Sequence, residues 1–476
     1  MGGRCVSGPN LLEIDRGLIV APAGCGKTHL ITDSLKATTD EKPILVLTHT
    51  NAGVAALRQR LSKLQIERRS YRLATIDGWA MRLASTFPMR ADYDEGPNPK
   101  NPNYPAIRRA AWTLLKNNHL TDILKANYSR LLVDEYQDCS AHQHAIVFFA
   151  ARHLPTCVLG DPMQAIFGFG ADGLAKWEEH VCKHFPIAAE LDTPWRWKNA
   201  DNEELGEWLL EKRKALLAGE AIDVKDAPGS VRWVKLDGDA NDHTKLVTAA
   251  RCNHKAAGET SLVIGDSRSA ASRYKIAKNV PGIITVEPVD LKDLTSFARN
   301  LDLGDGYVVS ETLEFAESLI TNVGAKYTLA RLRSLTARTA RTPATNLEQA
   351  ALSLEENPSF KGIAALLSEC SRQTGCRTYR PGVLRAALRA LTICEFDRGV
   401  SFEEAAIRVR EENRAIGRQL PKSAIGSTLL LKGLEADHVV VLNAGELNAR
   451  NLYVAMTRGA KSVTFCSASN ILSPVY

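Results

Sequence analysis

The chain has 476 residues, 45% hydrophobic and 24% charged, an ordinary globular balance with no low-complexity tract, and its length suggests about three compact units. Lys and Arg exceed Asp and Glu by 60 to 54, a net charge of +6 that permits a polyanionic partner without demanding one. The ten cysteines form no C-x-x-C pair, which argues against zinc and structural disulfides and fits a reducing cytoplasm; no signal pattern or long apolar run points to export or to a membrane.

In chain order, Gly17–Ala21 reads as a buried strand, and the loop Ala21-Pro22-Ala23-Gly24-Cys25-Gly26-Lys27-Thr28 opens a helix from about Gly26. Pro43–Thr48 is a second strand, followed by a helix over Ala52–Leu64, and Leu73–Thr75 begins another short strand-to-helix unit. The Pro-, Asn- and Asp-rich stretch Phe87–Tyr104 reads as a surface insertion leading into a helix near Ala106–Lys116. Leu131–Val133 and Cys157–Gly160 are further apolar strands with polar residues just past their C-terminal ends. Strands alternating with helices imply a parallel sheet that binds ligands at its C-terminal edge.

A second alternating unit has strands at Ser230–Val234 and Ser261–Gly265 with a helix near Asp242–Cys252 between them. From about Pro288 to Leu420 the periodicity is helical, as in Val383, Leu384, Ala387, Leu388 and Leu391. Sheet signal returns at Ala424–Thr428, His438–Leu442 and Ser462–Phe465. The expected fold is α/β: two RecA-like parallel-sheet phosphate-loop domains, with a short insertion in the first and a helical insertion in the second.

The chemistry sits at two places. Backbone N–H groups of the 21–28 loop, with Lys27, can cradle a nucleotide's phosphates. In Asp134-Glu135-Tyr136-Gln137-Asp138, two adjacent carboxylates at a strand end can hold magnesium and activate a water, and Gln137 offers a neutral donor and acceptor near the terminal phosphate.

Taken in order, these motifs resemble superfamily 1 helicases of the UvrD/Rep/PcrA group over both α/β cores. The resemblance implies ATP and Mg2+ as cofactors. It implies that Ala21, Pro22, Ala23, Gly24, Cys25 and Gly26 wrap the phosphates, that Lys27 contacts the β- and γ-phosphates, and that Thr28 and Asp134 hold the metal. Glu135 is then the base for the attacking water, and Gln164 in Gly160-Asp161-Pro162-Met163-Gln164 senses the γ-phosphate. Leu191-Asp192-Thr193-Pro194-Trp195-Arg196 resembles the fourth motif, with Trp195 on the adenine and Arg196 on the γ-phosphate. Lys432-Gly433-Leu434-Glu435 resembles the fifth, adding Gly433 and Glu435, and Asn451 to Arg458 resembles the sixth, with Arg458 as arginine finger. His49, Thr50, Asn51, Thr75, Phe167 and Phe169 match positions that grip single-stranded DNA, the two phenylalanines being alternatively core residues.

The implied organisation is a first core over 1–190 with an insertion at about 88–126, a second core over 191–287 and 421–476, and a helical insertion over 288–420. The implied activity is a cytoplasmic ATP-dependent DNA helicase translocating 3′ to 5′ on single-stranded DNA, or on a duplex with a single-stranded end. Five residues depart from the pattern: Ala21 replaces glycine, His49 replaces phenylalanine, Asp77 replaces histidine, Trp195 replaces tyrosine, and Leu429 replaces a histidine before the fifth motif. No glutamine precedes the phosphate loop, the first being Gln59, so adenine selectivity stays open, as does DNA against RNA. A second reading is a DNA-sensing ATPase subunit working with a nuclease partner, because compact UvrD-like chains also resemble the helicase-like component of Gabija-type anti-phage systems, which works with an OLD-family nuclease. The basic run Arg331, Arg333, Arg338 and Arg341 reads either as a phosphate track or as a solvated helix face.

Overall fold

A computed structural model describes residues 8–94, 96, 102–168, 172–252, 255–397, 399–415 and 421–474. The first sheet contains β1 (Arg16–Val20), β2 (Ile44–Thr48), β3 (Tyr71–Thr75), β4 (Arg130–Val133), β5 (Thr156–Gly160) and β6 (Ile187–Glu190). Its order is β3-β2-β4-β5-β1-β6, and every pairing is parallel. The central strands are buried along their whole length because helices cover both faces. Alternation divides their side chains between two cores. Leu18, Leu45, Leu131 and Val133 pack with Trp79, Ile107 and Ile146, while Ile19, Val46, Leu132 and Leu159 pack with Leu11, Ile31 and Leu57.

The remaining strands are β7 (Ile222–Asp223), β8 (Val231–Lys235), β9 (Ser261–Ile264), β10 (Ile284–Thr285), β11 (Ile320–Thr321), β12 (Arg377–Thr378), β13 (Ser423–Gly426), β14 (Ala436–Val441), β15 (Gly459–Ser467) and β16 (Ile471–Leu472). Parallel pairings run β10-β13-β9-β14 in one set of strands and join β15 with β8 in another. Two antiparallel ribbons, β7 with β16 and β11 with β12, complete the set. Two parallel sheets flanked by helices match the α/β expectation. The edge strands β6 and β10 carry no sequence signal: β6 is largely exposed, and β10 is too short to show a period.

The chain divides into two compact units, Met1–Lys235 with Asn443–Tyr476, and Leu236–Leu442. In the second, helices Lys292–Asn300, Val308–Glu317, Ala325–Thr336, Asn346–Glu356, Phe360–Arg372, Pro381–Phe396 and Phe402–Ala415 enclose a core around Leu294, Leu313, Leu366, Leu367 and Leu391. A buried arginine ties these helices to the strands of the same unit. Arg380 donates to Glu287 at 2.8 and 2.7 Å, pairs with Asp293 at 2.6 Å and lies 4.0 Å from the Tyr274 ring centroid. Beside it the β10 residue Thr285 donates its N–H to Tyr379 O at 2.9 Å. Among the described residues no helix is long and apolar enough to cross a membrane.

Candidate functional site

β5 separates β1 from β4, so the phosphate loop and the paired carboxylates emerge one strand apart on the same sheet edge. Gly24 and Gly26 have φ of +74° and +90°, values that let successive N–H groups turn into one concavity. The helix Lys27–Ala37 starts immediately after, so its first-turn N–H groups face the loop without partners in the helix. Lys27 Nζ lies 3.2 Å from Asp134 Oδ1 and forms a second ion pair with Glu135. Burial alone would lower the Lys27 pKa; the two carboxylates outweigh it and raise it. Burial pushes Asp134 upward, and Lys27 opposes that shift. Cys25, buried in the loop, has its thiol pushed up to about 12 by burial first and then by Asp161, so it stays neutral and unreactive.

Glu135 adopts a left-handed backbone, φ +55°, uncommon for a residue with a side chain. Its carboxylate accepts from Gln137 Nε2, and Gln137 Oε1 in turn accepts the Asp161 N–H at 3.1 Å. Asp161 is fully buried; it accepts from Gln164 Nε2 at 3.1 Å and from Arg213 at 3.2 and 2.9 Å. The candidate base and the candidate γ-phosphate sensor are thus linked through Gln137 and Asp161. Arg213 carries no sequence signal of its own. It lies 52 positions from Asp161, on the helix Glu203–Leu217.

Residues from 195 on and from the C-terminal segment also meet the loop, within the same compact unit. Arg196 donates its N–H to Gly24 O at 3.1 Å, and its guanidinium bonds to Thr457 O. Trp197 donates to Gly459 O at 2.9 Å, and a Cβ on Gly24 would lie 2.5 Å from its ring. Trp195 lies against Gly26. Tyr453 Oη accepts the Ala23 N–H at 3.0 Å. Arg458 is buried at the end of the helix Ala449–Met456, donating Nε to Val454 O at 2.9 Å and Nη2 to Thr457 Oγ1 at 3.1 Å. Gly433 and Glu435 belong to the second compact unit, on the exposed turn before β14.

His49, just past β2, and Phe167 sit with ring centroids 5.7 Å apart, both partly exposed. Thr50 and Thr75 cap the helices Asn51–Lys63 and Ile76–Thr86 by accepting from Gly53 and Gly78 at 3.0 and 2.9 Å. Asn51 is exposed beside them, and Phe169 lies outside the described residues. Asp77, the carboxylate that departs from the motif pattern, is neutralised by a bidentate pair with Arg108 at 2.7 Å, and Arg108 also binds Asp172 at 2.9 Å.

The donor set fits a nucleoside triphosphate with a divalent cation. The loop and helix start supply N–H groups and Lys27 supplies a cation for phosphate oxygens, while Asp134 and the Thr28 hydroxyl supply hard oxygen ligands.

Residues 13–103 and 100–173 match the UvrD/REP helicase N-terminal domain. That match covers the phosphate loop, the paired carboxylates and Gln164. No curated protein sequence matches the chain. Among solved structures, a complex of Arterivirus nonstructural protein 10 (helicase) with DNA aligns at 11% identity with a TM-score of 0.27, over 55% of this chain and 51% of that one. The alignment thus spans about half of that chain.

Proposed function

We propose that this protein is an ATP-dependent single-stranded DNA translocase and helicase of the UvrD type, moving 3′ to 5′. The observation that carries the reading is the Lys27 ammonium held between Asp134 and Glu135, with Glu135 itself bonded to Gln137. A lysine and two carboxylates at the edge shared by β1 and β4 are what phosphoryl transfer to water needs: a counter-charge, a metal ligand and a base.

In this reading the 21–28 loop binds ATP's phosphates, and Lys27 shifts from the carboxylates to the β- and γ-phosphate oxygens. Glu135, released from that pair but still bonded to Gln137, takes the proton of the attacking water. Magnesium held by Thr28 and Asp134 supplies charge neutralisation on the phosphates. Gln164, Arg196 and Arg458 respond to the γ-phosphate; Trp195, Gly433 and Glu435 complete the nucleotide contacts. His49, Thr50, Asn51, Thr75, Phe167 and Phe169 hold the strand by phosphate grips and base stacking, worth about 1–3 kcal/mol per base. Residues 1–190 form the first core with its insertion at about 88–126, 191–287 and 421–476 the second, and 288–420 the helical insertion.

ATP turnover with and without single-stranded DNA tests the reading, alongside separation of a duplex bearing a 3′ tail. Strand-stimulated turnover that Lys27→Ala abolishes supports it; turnover indifferent to the strand sinks it. Stimulated turnover without strand separation would favour the subunit reading, with a nuclease as partner.

A further inference from the structure

The end of the first sheet opposite the phosphate loop carries a second set of basic and aromatic side chains. Arg16 is the first residue of β1, and Arg152 precedes β5 by four positions, so both stand at the N-terminal edge of the parallel strands. β1 has five residues, so this edge lies about 16 Å from the nucleotide edge.

The side chains alternate. Lys116 Nζ is 5.8 Å from the Trp112 ring, and Trp112 stacks on Phe149 at 6.0 Å with a 22° interplanar angle. The Arg152 guanidinium lies 4.7 Å from Phe149 and 5.3 Å from Phe148, and Arg16 lies 5.3 Å from Phe148 on its other contact. The links join the helix Tyr104–Lys116, the helix Ala141–Ala150 and the start of β1. The rings are half-buried, and the cations, with nearby Lys183, are exposed. Among the described residues none of these four cations has a carboxylate partner. The local field has the same sign: burial first, then Lys183, Arg16 and His180, hold the neighbouring His184 below its usual pKa.

We propose that this face is a second binding surface for single-stranded nucleic acid, separate from the track at His49 and Phe167. Unpaired cations on one surface attract phosphates. A guanidinium stacked on a ring is already ordered, and its outer flat face can take a base. Bases are available for such stacking in a single strand and hidden in a duplex, which selects the partner. A strand long enough to leave the first track would be retained here by effective concentration. The proposal rests on the nucleic-acid reading above for the class of its partner.

The test is a salt series of fluorescence anisotropy on the full chain, with labelled oligothymidylates of about 10 and about 60 nucleotides. The variants are Arg152→Glu and the double variant Lys116→Glu/Lys183→Glu. Affinity for the long strand should fall about 10-fold or more, with the slope of log K against log salt shallower by about 0.7 per lost phosphate contact. Short-strand affinity and strand-stimulated ATP turnover should stay at the wild-type level. Unchanged long-strand affinity and slope overturn the proposal, and so does an equal loss for both lengths, which would make the ladder part of one track. If the wild-type protein binds the short strand and gains nothing from the long one, the second surface falls while the motor reading stands; if it binds neither, both fall. Lys116→Ala/Lys183→Ala should give the same direction with a smaller loss, which keeps the test decisive should charge reversal disturb folding.

Discussion

Tyr453 Oη accepts the Ala23 N–H at 3.0 Å, so a buried side chain 430 positions away fixes the curvature of the phosphate loop. Burial holds the phenol well above its usual pKa, and the hydroxyl stays neutral as an acceptor of that N–H. Tyr453→Phe should leave the buried donor unmatched, costing about 1–3 kcal/mol. A lowered Tm together with a raised KM for ATP is the expected result; an unchanged KM would show that the loop keeps its shape alone.

Arg213 neutralises the fully buried Asp161, whose other oxygen anchors Gln164. Arg213→Met should strand that carboxylate and cost about 3–5 kcal/mol in a urea melt. Arg213→Lys should recover part of the stability but less of kcat, because one ammonium cannot reproduce the two guanidinium contacts.

Arg458 is proposed to act on the γ-phosphate, and its guanidinium also donates to Val454 O and Thr457 Oγ1 at its own helix end. Arg458→Ala should lower kcat by about 10³–10⁵ while nucleotide affinity changes little. Turnover near the wild-type level would make Arg458 a helix cap rather than a finger.

His144 shares a 2.9 Å hydrogen bond with Tyr136 and a 2.8 Å one with His184. Burial first, then His184 and His180, lower its pKa from 6.5 to about 4. Between those values the unfolded chain binds the extra proton, so this group's contribution to stability is present above pH 6.5 and is lost as pH falls toward 4. The share is at most about 3 kcal/mol. His144→Gln should flatten the Tm profile over that window, and an unaltered profile would remove His144 as a cause.

The strands and the nucleotide motifs were legible because their signals are local. Ile44–Leu47 is a continuous apolar run, and Asp134-Glu135 follows Leu131–Val133 directly. What escaped joins distant residues. Arg213 with Asp161 and Tyr453 with Ala23 leave no pattern along the chain. Asp77 read only as a departure from the motif pattern, and its meaning changes once Arg108, 31 positions on, covers both its oxygens. β10, two residues long, owes its place to its neighbours, pairing with β13 and lying beside Tyr379.

Arg380 bears on how the second unit comes apart. With Glu287, Asp293 and Tyr274 sharing one guanidinium, detaching the helices would expose the buried Arg380 and Glu287 together and break the contacts to Asp293 and the Tyr274 ring. Strand and helix should therefore open in one cooperative event, with amide exchange at Ile284–Thr285 keeping pace with that of Pro381–Phe396. In Arg380→Ala the two rates should diverge, the short strand exchanging first.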